Sequence, residues 1–249
     1  MSALRILVEP DYEGVSRRAA QVIDDMVRQT PRAVLALPTG STPVGTYTEL
    51  VRLHQETGTD WKQVTVFNLD EYVGVEPDHP ESYARFMRRH LFDGINLPPS
   101  QRHIPNGLAT NLDAEAARYE AAIDATGGID LAVLGVGVNG HLGFNEPADQ
   151  LRANTHVAEL DEETWRRNFP QLANQPKQLD AADLPFRRAF TMGIGTILKA
   201  KQLLLLANGS AKRDILRQAL QGSVTTHNPA SFLQLHCDVT LILDQEAAW

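Results

Sequence analysis

A single cysteine, Cys237, leaves this 249-residue chain without the means to form an internal disulfide or a thiolate-based zinc cluster. Basic residues are outnumbered, 23 Lys+Arg against 31 Asp+Glu for a net charge of −8, and no basic tract is long enough to follow a phosphate backbone. Nucleic acid is therefore not an expected partner. No apolar run approaches the ~20 residues needed to cross a bilayer, and the opening MSALRILVEP turns acidic too soon for a signal peptide. No membrane partner is expected, and the chain reads as cytoplasmic. Internal repeats, low-complexity tracts and linkers are also missing. What remains is an ordinary globular composition, 43% hydrophobic and 22% charged, and one domain spanning residues 1–249 is expected.

Short apolar runs recur along the chain at Leu4–Val8, Ala33–Leu37, Val64–Leu69, Leu131–Val136, Leu203–Ala207 and Val239–Leu243, mostly without in/out alternation. Strands buried on both faces look like this. Helical periodicity fills the intervals at Tyr12–Gln29, Val44–Gln55, Leu112–Ala125 and Ala211–Leu220. The β-α alternation predicts an α/β fold, a mostly parallel sheet with helices on both faces and a ligand site beyond the carboxyl ends of the strands. Two stretches break the rhythm and read as lids: Asp70–Pro99 and the polar interval Pro147–Asp183, which overlaps the candidate mobile flap 164–185.

Four strand-to-loop junctions carry chemistry. In LPTGSTP, Gly40 permits an unusual turn, Thr39, Ser41 and Thr42 offer hydroxyls, and Pro43 opens a helix whose backbone N–H groups suit a phosphate. No Gly-Lys-Ser/Thr follows, which disfavours nucleotide hydrolysis. In FNLDEY a strand ends in Asp70 and Glu71, and because strand side chains alternate, only one of the two acids is expected to enter a shared site. In GVGVNGHLGFNEP, glycines admit a small ligand while Asn139, His141 and Glu146 place a near-neutral base and a carboxylate in one loop. Gly135, Gly137 and Gly140 mimic a dinucleotide fingerprint, but His141 and further breakers disfavour the helix it requires. In NGSAK, Lys212 falls in the first turn of a helix, where the dipole favours acids, and so suggests an anionic ligand. Each has a plainer reading as helix cap, solvated turn or structural histidine.

Taken in order and spacing, LPTGSTP, FNLDEY with HPESY, GVNGHLGFNEP, the SAK before a helix and LQLHCDVT resemble the glucosamine-6-phosphate deaminases over nearly the whole chain. The resemblance implies a Rossmann-like α/β fold and conversion of glucosamine 6-phosphate and water to fructose 6-phosphate and ammonia, with no metal or organic cofactor. It further implies that His141 opens the sugar ring, Asp70 shuttles the C2 proton to C1, and Glu146 orients the histidine. Thr39, Gly40, Ser41, Thr42 and Lys212 would grip the phosphate. The partner so implied is a small amino-sugar phosphate, bound by a monomer or a homo-oligomer.

Three departures stand out. Many members have aspartate where this chain has Asn139, which leaves either Glu146 or the Asn139 amide oxygen to orient the imidazole. The family's flap arginine has no counterpart in register; Arg166 and Arg167 are the nearest. The stretch THVAEL lacks the basic residues of allosteric members, so activation by N-acetylglucosamine 6-phosphate is not expected. Alternatives are a galactosamine-6-phosphate deaminase, a 6-phosphogluconolactonase, which Tyr72 and LGFNEP disfavour, and a non-catalytic sugar-phosphate-binding regulator.

Overall fold

The computed structural model describes residues 3–160, 162, 165–166, 169 and 186–249. In chain order the strands are β1 (Ala3–Glu9), β2 (Val34–Leu37), β3 (Thr65–Asn68), β4 (Asp70–Tyr72), β5 (Arg102–His103), β6 (Leu131–Leu134), β7 (His156–Glu159), β8 (Arg188–Thr191), β9 (Gln202–Ala207) and β10 (Asp238–Asp244). The described helices are α1 (Tyr12–Gln29), α2 (Val44–Thr57), α3 (Tyr83–His90), α4 (Leu112–Ala125), α5 (Ile194–Leu198) and α6 (Arg213–Gln221).

Seven strands form one sheet in the order β1-β10-β9-β6-β2-β3-β5, every pairing parallel. The continuous apolar runs of the sequence are its strands, and those of β2, β3, β6, β9 and β10 are buried because both faces are covered; the exception to the expected burial is edge strand β1, where Leu4, Ile6, Leu7 and Val8 remain exposed. Leu35, Leu37 and Val66 pack against Val15 and Ile23 of α1, Leu50 of α2 and Met87 of α3. Their strand neighbours Ala36 and Phe67 turn to the opposite face, against Tyr119 and Ile123 of α4 and Leu216 of α6. At roughly 1.5–3 kcal/mol for each large apolar side chain removed from water, these two layers are the main stabilising contribution.

The second sheet, β4-β8-β7, is antiparallel and was not legible in the sequence. Leu69 is the joint between the sheets: its N–H still donates to Leu37 O, at 3.1 Å, while its carbonyl accepts from Met192 N at 2.8 Å. The next residue, Asp70, opens β4 opposite Thr191. Behind this sheet Tyr72, Phe144, Trp165 and Phe169 form a third apolar cluster.

Two expectations are corrected. Asp70–Pro99 is not a lid, since Met87, Leu91, Phe92 and Leu97 bury it against the body of the protein. The helix expected from Ala211 begins as a 3₁₀ turn, Ser210–Lys212, and becomes α-helical only at Arg213. The reason is local: Gly209 (φ 84°) donates its N–H to both carboxylate oxygens of Asp244, and Lys212 N closes a tight turn on Gly209 O at 3.1 Å. Of the expected flap 164–185, Trp165, Arg166 and Phe169 are described; the rest lies outside the described residues. No helix among the described residues is long and apolar enough to cross a membrane.

Candidate active site

A cavity of about 320 Å³ opens beyond the carboxyl ends of β2, β3, β6 and β9, where an open parallel sheet is expected to bind its ligand. One end is the turn that follows β2. Gly40 sits at φ 97°, a conformation that bends the chain so that Thr39–Thr42 line the cavity. Pro43 is the N-cap of α2 and supplies no side-chain hydrogen bond, and the N–H groups of Gly40, Ser41 and Thr42 meet no intramolecular acceptor among the described residues. The turn is nonetheless fixed. Tyr12 Oη donates to Ser41 O and accepts from Gly45 N, at 3.1 and 2.8 Å, and Thr42 Oγ1 donates to Asn208 Oδ1 at 3.2 Å. Lys212 lines the same cavity and donates from Nζ to Val136 O at 2.6 Å. It is the N-cap of α6 rather than a residue of its first turn. Uncapped N–H groups at a helix start, hydroxyls and an ammonium make a donor set suited to a phosphate dianion.

The two acids of FNLDEY diverge as the strand geometry requires. Asp70 lines the cavity, is only 6% exposed, and its Oδ1 has no hydrogen-bond partner. Burial first, and the neighbouring Glu71 charge second, push its carboxyl up to about 8, with the Thr39 hydroxyl pulling partly back. Glu71 points away and holds the start of α3. Its carboxylate accepts from the N–H groups of Tyr72, Tyr83 and Ala84 and from Ser82 Oγ, at 2.8–3.0 Å. Burial raises its carboxyl and these bonds draw it back down.

Across the cavity stands the glycine-rich loop after β6. His141 Nδ1 lies 3.0 Å from Glu146 Oε1, within ion-pairing range, although the ring nitrogen makes no well-aligned hydrogen bond. Asn139 Nδ2 donates to Glu146 Oε2 at 2.6 Å, and its Oδ1 accepts from the backbone N–H of His141 at 3.2 Å. The Asn139 oxygen therefore does not accept from the ring; its hold on the histidine runs through the loop backbone and through Glu146. Glu146, not Asn139, meets the imidazole.

Sequence reasoning missed two residues that set this loop against Asp70. Thr191 Oγ1 accepts from Phe144 N at 3.0 Å, and Asn145 Nδ2 donates to Leu142 O and Met192 O, each at 2.8 Å. Because Thr191 is also the strand partner of Asp70, the second sheet registers both sides of the cavity. Asn145 stood inside a quoted motif, whereas nothing in the sequence marked Thr191. Arg166 is exposed and pairs with Glu162 rather than lining the cavity; Arg167 lies outside the described residues. Among the described residues no group of three or more His, Cys, Asp or Glu side chains is placed to hold a metal ion.

A buried carboxyl group and a histidine–carboxylate pair line one cavity with a turn of free N–H groups, beyond the strand ends of an open parallel sheet, the place and make-up of an α/β enzyme site for a small molecule. The chain belongs to the family of glucosamine-6-phosphate isomerases and 6-phosphogluconolactonases, whose model matches residues 12–242. It is 43% identical over 245 residues to the glucosamine-6-phosphate deaminase of Thermoanaerobacter sp. (strain X514), covering 98% of this chain and 94% of that protein. The Geobacillus sp. (strain WCH70) glucosamine-6-phosphate deaminase is 45% identical over 247 residues, with the same coverage. A monomeric glucosamine-6-phosphate deaminase of known structure superposes with a TM-score of 0.89 at 42% identity, covering 98% of each chain. The 6-phosphogluconolactonase from Trypanosoma cruzi shares the fold, with a TM-score of 0.74 at 22% identity.

Proposed function

We propose that the protein is a glucosamine-6-phosphate deaminase acting as one catalytic unit. The observation that carries this reading is that Asp70 and His141 line a single cavity whose far end, Thr39–Thr42 with Lys212, is built of anion donors. The phosphate anchors there and lays the sugar between the two proton-handling groups. His141 moves a proton between the anomeric hydroxyl and the ring oxygen and opens the pyranose, while Glu146, held by Asn139, orients the imidazole and offsets its charge. Asp70 as carboxylate takes the C2 proton and returns it to C1, while the C1 oxygen gains a proton and the C2 nitrogen loses one, so the aldehyde and C2 amine become a C1 alcohol and a C2 imine. Water then adds at C2 and ammonia leaves, giving fructose 6-phosphate. Each of the two proton-transfer groups is worth ~10²–10⁴ in rate. No cofactor is assigned a part, and a cytoplasmic role in amino-sugar breakdown follows from the substrate.

The test is an ammonia-release assay on the purified protein with glucosamine 6-phosphate, galactosamine 6-phosphate and 6-phosphogluconolactone in parallel, the last followed by lactone hydrolysis. Ammonia from glucosamine 6-phosphate is the expected result; lactone hydrolysis without ammonia overturns the reading. In the same assay Lys212→Ala is expected to raise KM by about 10–100-fold, the worth of one hydrogen bond to a charged group, with kcat within a few-fold. Collapse of kcat at unchanged KM would remove Lys212 from the phosphate grip.

A further inference from the structure

Helix α2 starts without a cap of its own. Its N-cap residue is Pro43, whose side chain accepts no hydrogen bond, so the N–H groups of the first turn need partners from elsewhere. For Gly45 the partner is the phenol of Tyr12, the first residue of α1, whose Oη accepts from Gly45 N at 2.8 Å. The approach depends on the bare glycine: a Cβ at position 45 would collide with Ser16 Oγ and stand 3.0 Å from Tyr12 Oη. The same phenol gives its proton to Ser41 O, at 3.1 Å. Tyr12 does not itself line the cavity, yet it ties the turn to the helix that follows.

The bond to Ser41 O has a directional consequence. A trans peptide unit is planar, with its C=O and N–H on opposite sides, and no cis bond occurs among the described residues. With the Ser41 carbonyl drawn towards α1, the N–H of Thr42, the other half of that unit, faces away from Tyr12. A second carbonyl of the turn, Pro38 O, is likewise taken by a phenol, that of Tyr47 in α2. A carbonyl turned to the cavity would repel an anion, and these two are held elsewhere. Resting on the deaminase reading above for the identity of the ligand, we propose that Tyr12 is a positioning residue for the substrate phosphate: by holding Ser41 O it keeps the Thr42 N–H aimed into the cavity as a donor. Without the phenol hydroxyl nothing in α1 holds that carbonyl, the Ser41–Thr42 unit is free to turn over, and the ligand has to order the turn as it binds, at a cost in affinity.

The test compares wild type with Tyr12→Phe, which keeps the ring and removes only the hydroxyl. Two quantities are read: KM and kcat for glucosamine 6-phosphate, and the Kd of inorganic phosphate by calorimetric titration, with melting temperature as the folding control. KM and the phosphate Kd are expected to rise together by roughly tenfold, the low end of what one hydrogen bond to a charged group is worth, because the donor is misaimed rather than removed. The kcat should stay within about twofold. A merely structural role would lower the melting temperature and kcat and leave the phosphate Kd in place. A folded Tyr12→Phe whose KM and phosphate Kd match wild type, or whose kcat falls at unchanged Kd, overturns the proposal alone, as does a wild type that takes up no inorganic phosphate. A wild type that releases no ammonia, while the phosphate Kd still rises in the variant, overturns the deaminase reading and leaves Tyr12 as the residue that positions an anion-binding turn.

Discussion

Asp70→Asn is expected to lower kcat for ammonia release by ~10³-fold or more while leaving substrate affinity within a few-fold, because the amide fills the same space but takes no proton. The wild-type pH profile should carry the signature of the same group. A carboxyl pushed up to about 8, by burial before the Glu71 charge, is largely protonated at neutral pH and becomes a base only as pH rises through that value. The acid limb of kcat/KM should therefore lie near 8 and vanish from the residual activity of the variant. Stability runs the other way. A carboxyl whose folded pKa is raised stabilises the fold in full below its unfolded pKa, and that contribution is lost as pH rises toward about 8. Asp70→Asn, which cannot ionise, should melt above wild type at pH 8–9, with the gap closing near pH 4. A variant that retains wild-type turnover would displace Asp70 as the base; a variant that melts below wild type at pH 8–9 would contradict the buried-charge account.

Much of the fold was legible because it is written in local pattern. Runs such as Leu131–Leu134 and Leu203–Ala207 lack alternation for a physical reason, burial on both faces, and that alone selects a parallel sheet. The divergence of Asp70 from Glu71 was equally readable from strand alternation. The second sheet was not. Asp70–Tyr72 is three residues long, and its partner Arg188–Thr191 lies far along the chain, so no local window holds both halves of the pairing. The same non-locality hid the parts of the site that position rather than react. Glu71 finds its hydrogen-bond partners at Ser82–Ala84, Thr191 holds Phe144, and Asn139 turns to Glu146 instead of the ring. Composition names the groups that do the chemistry, and only the closed loop shows which neighbour each one touches.

Gly137 shows how little room that loop leaves. A Cβ at this position would stand 2.5 Å from Cε1, Nδ1 and Nε2 of His141, so the imidazole lies flat against a backbone that must carry no side chain there. The backbone itself does not forbid alanine, because Gly137 is not among the glycines at positive φ. Its N–H donates to His141 O at 3.0 Å and its carbonyl accepts from Gly140 N at 3.1 Å, bonds that a methyl group leaves alone. Gly137→Ala should therefore preserve the fold and displace the ring, pulling it away from Glu146 and from the sugar. Loss of one proton-transfer group predicts a fall in kcat of ~10²-fold or more. The defect should be confined to ring opening. Exchange of a C1 hydrogen of fructose 6-phosphate with solvent, which can start from the spontaneously open ketose and uses Asp70, should survive to a much larger extent. If both reactions fall together while the melting temperature holds, His141 serves the carbon-bound proton as well as the oxygens, and the division of labour between the two sides of the cavity fails.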